Sequence, residues 1–94
     1  MATEADTQVV GLLARIRAVD PALFQDITTA RPWARRDVVL ELGRRRVLLA
    51  RDAGPDVIES LALVVQDLAA RGRAYAELDA RYAGQVVVRR RVSA

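Results

Sequence analysis

Apolar positions recur at helical spacing near the start of the chain, where Val9, Val10, Leu12, Leu13, Ile16 and Val19 fall on one stripe. Asp6 or Thr7 can cap this predicted helix, because either side chain offers an oxygen to an orphan amide. Asp20-Pro21 ends it, since proline pushes the residue before it out of the helical region. Asp20 then caps a short helical turn with Pro21 in its first position, running through Leu23 and Phe24. A second amphipathic stretch follows Pro55: Val57, Ile58, Leu61, Val64, Val65 and Leu68 share one arc, with Glu59, Ser60, Gln66 and Asp67 opposite. Leu63 stands among the polar residues as an exposed leucine, and Arg71-Gly72 supplies a basic last turn and a stop.

Between and after these helices the period changes from 3.6 to 2. Ile27 to Ala30 is β-prone and starts a first strand, which Arg31-Pro32 marks as an edge or a bulge. Trp33, the single tryptophan, is expected as a partly buried anchor over the core. Asp37 to Leu42 alternates, with Val38, Leu40 and Leu42 on one face and Val39 and Glu41 on the other; Gly43-Arg44 then turns into Arg46 to Ala50. Ala74 to Tyr82 and Gln85 to Val92 flank Ala83-Gly84 and read as a closing β-hairpin. In its first strand Leu78, Ala80 and Tyr82 face one way, and Glu77, Asp79 and Arg81 the other.

The expected fold is therefore a single α+β domain over residues 1–94, in the order α-β-β-β-α-β-β. Two helices pack on one face of a five-stranded, largely antiparallel sheet, and Glu41, Glu77, Asp79 and Arg81 make the other face polar and solvated. The last strand has nothing after it to pair with, so its backbone edge can receive a strand from a partner.

Composition narrows the chemistry. The chain has 94 residues and no cysteine or histidine; all 15 basic residues are arginine. Disulfides, zinc-thiolate sites and the usual histidine, cysteine and lysine catalysts are excluded. Glu77 and Asp79, at i and i+2, can serve as a cation site or an acid pair, but a solvated strand face with Arg89 or Arg91 opposite accounts for them. No phosphate-cradling glycine loop is present, and the expectation is a non-enzyme without cofactor or metal. The net charge of +3 is modest. Two arginine runs, Arg44 to Arg46 and Arg89 to Arg91, leave RNA or DNA binding as the alternative reading. No uncharged stretch approaches the roughly 20 residues of a membrane span, and the acidic start at Glu4 does not read as a signal peptide.

The run Leu78-Asp79-Ala80-Arg81-Tyr82, followed by Gly84-Gln85-Val86-Val87-Val88-Arg89, resembles the signature near the C-terminus of FtsQ/DivIB cell-division proteins. Pro21 and Leu23, the hairpin through Gly43, and Val47-Leu48-Leu49-Ala50-Arg51 are similar to further motifs of that family's extracytoplasmic β-domain, with Ala50 and Ala80 replacing its usual glycine and leucine. The resemblance implies a divisome scaffold on the periplasmic face of the cytoplasmic membrane, soluble as this fragment and lacking the family's membrane helix and POTRA domain. It implies FtsB-like and FtsL-like partners, a strand of the former adding to the sheet edge. Arg51, Arg81 and Tyr82 match family positions beside that edge, and Gln85, Val86, Val87, Val88, Arg89 and Arg90 form the strand that pairs.

Overall fold

Two acid-and-proline or glycine-and-proline junctions divide the chain. Asp20 accepts hydrogen bonds from the N–H groups of Ala22 and Leu23 at 3.0 and 3.2 Å, so helix α1 (Thr7–Val19) gives way directly to α2 (Pro21–Asp26). Gly54-Pro55 likewise opens α3 (Pro55–Ala70). At the other end of α3, Gly72 takes φ +64°, its N–H donates to the Ala69 carbonyl, and Arg73 N–H donates to Leu68. This is a Schellman closure, and it fixes where Arg73 leaves the helix.

These features belong to a computed structural model that describes residues 2–3, 7–82 and 84–90. The expected capping by Asp6, and the readings of Arg91 and Val92, lie outside the described residues. The strands are β1 (Ala2–Thr3), β2 (Thr29–Trp33), β3 (Asp37–Leu42), β4 (Arg45–Ala50), β5 (Glu77–Asp79) and β6 (Val87–Arg89). They lie side by side in sequence order. The α+β class and the order α-β-β-β-α-β-β hold, with α2 following α1 and the two-residue β1 added outside β2. The β2/β3, β3/β4 and β5/β6 pairs are antiparallel; β1/β2 and β4/β5 are parallel. The second parallel pair follows from α3, which carries the chain back across the sheet as a crossover must.

Gly43, at φ +66°, takes the first central position of the two-residue β3/β4 turn, where Leu42 pairs with Arg45. β2 runs through Arg31-Pro32 instead of stopping there, because Pro32 lies beyond the reach of β1, whose partners are Thr29 and Ala30. A missing donor is tolerated on such an edge.

One face of the sheet packs on the helices. Ala30, Val38, Leu40, Val47, Leu49 and Leu78 meet Val9, Leu12 and Ile16 of α1 and Ile58 and Leu61 of α3 in one cluster. Val10 turns outward, 55% exposed, and leaves the stripe on which its spacing placed it; Leu63 is 65% exposed, as expected.

Candidate functional site

Valine at two consecutive positions favours extended backbone, and Val87-Val88-Arg89 forms the last strand of the sheet. The N–H of Ala76 donates to the Arg89 carbonyl at 2.9 Å, so the backbone of Arg89 faces β5. Backbone groups of successive strand residues alternate in direction, which turns the N–H and C=O of Val88 outward. No strand among the described residues lies beyond β6. Here the sheet offers a donor and an acceptor at strand spacing.

The expected tight hairpin is shorter and looser than its sequence pattern. Pairing is confined to Glu77↔Arg89, Leu78↔Val88 and Asp79↔Val87, and residues 80–86 form the connection. The cause is Asp79: its Oδ1 accepts the N–H of Arg81 at 3.1 Å. That i to i+2 side-chain turn draws the chain off the ladder after one more residue. Gln85 and Val86 therefore precede the paired segment, and Arg90 follows it.

The register also decides what covers the face away from the helices. Glu77, Asp79, Val87 and Arg89 project there, and the expectation of a solvated face fails at its centre: Glu77 is 3% exposed and Asp79 fully buried. Arginines, rather than water, satisfy them. Arg46 Nε donates to Glu77 Oε1 at 2.6 Å, and Arg89 Nη1 donates to Glu77 Oε2. Asp79 Oδ2 accepts from Arg81 Nη2 at 2.7 Å and from Arg89 Nη1 at 2.9 Å, while Arg81 Nε donates to its Oδ1 at 2.9 Å. Arg81 Nη1 reaches on to Asp37 Oδ2 at 3.2 Å.

Three carboxylates thus meet three guanidiniums, with both oxygens of Glu77 and of Asp79 in use. Burial pushes the Asp79 carboxyl up, but hydrogen bonds from the Arg81 and Arg89 side chains and the Arg81 backbone, with the Arg81 charge, outweigh it and bring the group to about 2. The pairing with Asp79, followed by Asp37, raises Arg81, and the bonds to Asp79 and Glu77 raise Arg89. A carboxylate pair held in this way is no general base, because its lone pairs already accept from permanent cations. Its effect is mechanical: through Arg89 it fastens the edge strand to β5.

Trp33 belongs to this same face and not to the helical core. Its ring stacks with the Arg46 guanidinium at 5.4 Å, over the rows that contain buried Val39 and Leu48. Arg45 lies over Tyr75 at 4.8 Å, so two of the three arginines at positions 44–46 are engaged within the domain.

The nine residues expected to contact a partner therefore separate. Val87, Val88 and Arg89 form the edge, flanked by Val86, Gln85 and exposed Arg90. Tyr82 is 47% exposed and lines a small cavity with Val57, Ser60, Gln85 and Val86. Arg81 is drawn into the ion-paired face. Arg51 sits elsewhere, after β4, where its Nη1 donates to Gln8 Oε1 at 3.2 Å and it shares a cavity with Arg35, Arg36 and Asp52. Arg46, read in the sequence as part of an arginine run, and Trp33, read as an anchor over the core, are members of this face that the sequence reading did not place here. The available signal was the cross-strand alternation of charge among Glu41, Arg46, Glu77 and Arg89.

Among the described residues no group of three or more acidic side chains is arranged to hold a metal ion, and no helix is long and apolar enough to cross a membrane. No family model and no curated protein matches the chain.

Proposed function

We propose that this domain is a non-catalytic protein-interaction module of the bacterial cell-division machinery that receives a strand from an FtsB-like protein, accompanied by an FtsL-like one, on the outer edge of β6. The reading rests on one structural observation, the outward N–H and C=O of Val88 on the last strand of the sheet. The sequence resemblance to FtsQ/DivIB proteins supplies the partner and the setting, the extracytoplasmic face of the cytoplasmic membrane.

In this function the backbone of Val86 to Arg90 carries the pairing. Gln85 and Tyr82 lie where an added strand runs past the end of β6, beside the N-terminal turn of α3. Arg51 follows β4, with β5 lying between it and β6, so a partner reaches it only with a segment that continues over the end of the sheet. Arg81 and Arg89 act through what they hold in place.

The test is an amide-shift titration with the extracytoplasmic segment of an FtsB partner. Shifts concentrated on Val86 to Arg90, with slowed exchange of the Val88 amide, are expected. Unchanged spectra with a verified cognate partner would remove the proposal. A salt-sensitive response to an oligonucleotide, lost on Arg44→Ala with Arg90→Ala, one exposed arginine from each run, would replace it with the nucleic-acid reading.

A further inference from the structure

Strand addition through backbone alone does not discriminate between partners; side chains on the two faces of the added strand must do so. The register of β6 fixes what each face offers. On the face away from the helices, one row of the sheet reads Glu41, Arg46, Glu77, Arg89 across β3, β4, β5 and β6. The signs alternate − + − +, the row ends at the edge on a cation, and opposite charges facing one another across strands are favourable. On the helix side Val88 shares its face with Leu78. Val88 is 43% exposed and borders an open cavity of about 310 Å³ lined also by Leu68, Ala74 and the exposed Arg73 and Arg90.

Accepting the proposed strand addition, we infer that the received strand carries an acidic residue opposite Arg89, followed directly by a large apolar residue opposite Val88. The first extends the charge row by one step. The second enters the cavity, because side chains directly opposite one another in a sheet point to the same face. The order is that of antiparallel pairing, the commoner kind and the one β6 already makes with β5, in which the partner residue opposite Arg89 precedes the one opposite Val88. An arginine or lysine in the first position would face Arg89, and is selected against. A small polar residue in the second would leave the cavity unfilled.

Ten-residue β-prone peptides joined to the C-terminus of the whole chain by a flexible Gly/Ser linker provide the probe, since tethering brings even a weak strand to millimolar effective concentration. The readout is hydrogen exchange at the Val88 amide. A peptide with Glu-Phe at its centre is expected to slow exchange at least tenfold relative to the bare linker. Lys-Phe, Glu-Ser and the reversed Phe-Glu are expected to give less than a third of that protection. Ala74→Trp, a change at an exposed position that fills the cavity, is expected to erase the advantage of Phe over Ser without altering the fold. Equal protection by all four peptides, removed by N-methylation of their backbones, would overturn the side-chain rule while leaving strand addition in place. Absence of protection with every peptide would overturn both. A dimer in sedimentation with Val88 protected in the untethered chain would make a second copy the occupant and overturn the inference as well.

Discussion

The two faces of the sheet bury their centres to the same degree by opposite means. Val38, Leu40, Val47 and Leu49 are shielded by helices, whereas on the other face Glu77 and Asp79 are buried beneath arginines from neighbouring strands, and Trp33 with Arg46 lies on the same side as buried Val39 and Leu48. The arginine head groups neutralise the carboxylates beneath them. A sheet with helices on one face alone can therefore dispense with a second layer, provided each buried charge has partners with sound geometry. The difference lies in failure. An apolar face loses in proportion to the volume removed, while an ion-paired face loses abruptly when one member goes, because the others remain charged and buried.

Matched truncations test this contrast with the largest effects. Asp79→Ala takes from Arg81 and Arg89 the carboxylate they share, leaving Arg81 only Asp37 and Arg89 only Glu77, and is expected to cost about 3 kcal/mol at neutral pH. Leu40→Ala leaves a cavity under the helices and is expected to cost about 2–5 kcal/mol. Urea unfolding at pH 7 and again near pH 2 separates the mechanisms. The penalty of Asp79→Ala shrinks at the lower pH, where the parent domain has itself begun to lose the charged interaction, and that of Leu40→Ala does not. Equal pH behaviour of the two variants would contradict the ion-pair account.

The pH profile of the unaltered domain comes next. Asp79 falls from an ordinary value of 3.8 to about 2 in the fold. A depressed carboxylate contributes stability above its unfolded value and loses it as pH falls through the folded one. This contribution, roughly 2 kcal/mol at about 1.4 kcal/mol per pH unit, is thus intact above pH 5 and disappears between about pH 4 and pH 2. Asp79→Asn should flatten that limb of the curve. The arginines stay charged throughout and add no slope in this range.

How much of this was legible in the chain depended on which physical signal decided each element. α3 announces itself because Pro55 opens it, Gly72 closes it, and Ile58, Leu61 and Leu68 keep one period between them. β3 and β4 follow from clean alternation around Gly43. The closing hairpin was legible as a hairpin and as the sheet's edge, but not in extent. Alternation continues through Tyr82, while the ladder ends at Asp79 because a local turn with Arg81 competes with strand pairing. The polar face misled for a related reason. Alternating charges on a strand look the same whether water or arginine satisfies them, and only the register, which brings Arg46 and Arg89 to either side of Glu77, tells the two apart.

A replacement in place of a deletion gives a smaller effect and sharpens the contrast. Arg46 and Glu77 bridge at 2.6 Å with side chains 25% and 4% exposed. Substituting both by methionine removes their attraction and its desolvation penalty together and preserves most of the volume, leaving Arg89 with Asp79 and Trp33 with an apolar neighbour in place of the guanidinium. The double variant is expected to lie within about 1.5 kcal/mol of the parent, although Glu77→Met alone leaves Arg46 and one arm of Arg89 unmatched and should cost more than the pair. A double-mutant cycle by chemical denaturation measures this directly. A double variant as damaged as the sum of its singles would show that the charges themselves, not their mutual cancellation, support the face.

The smallest effect is predicted where the same chemistry lies open to water. Arg71 Nε meets Asp67 Oδ1 at 3.0 Å, a distance close to the buried pairs, yet the two side chains are 65% and 57% exposed. Water already solvates both groups, so their attraction is screened and neither is stranded when the other leaves. Asp67→Ala is therefore expected to cost at most about 0.5 kcal/mol, and less as salt is raised. Comparing it with Asp79→Ala keeps the carboxylate–guanidinium chemistry and varies exposure together with the number of bonds, one at Asp67 and four at Asp79. If the two cost the same, distance would be the governing quantity; the expected several-fold gap assigns the difference to burial and the fuller set of bonds that comes with it, which is also what lets Arg89 hold the edge strand against β5.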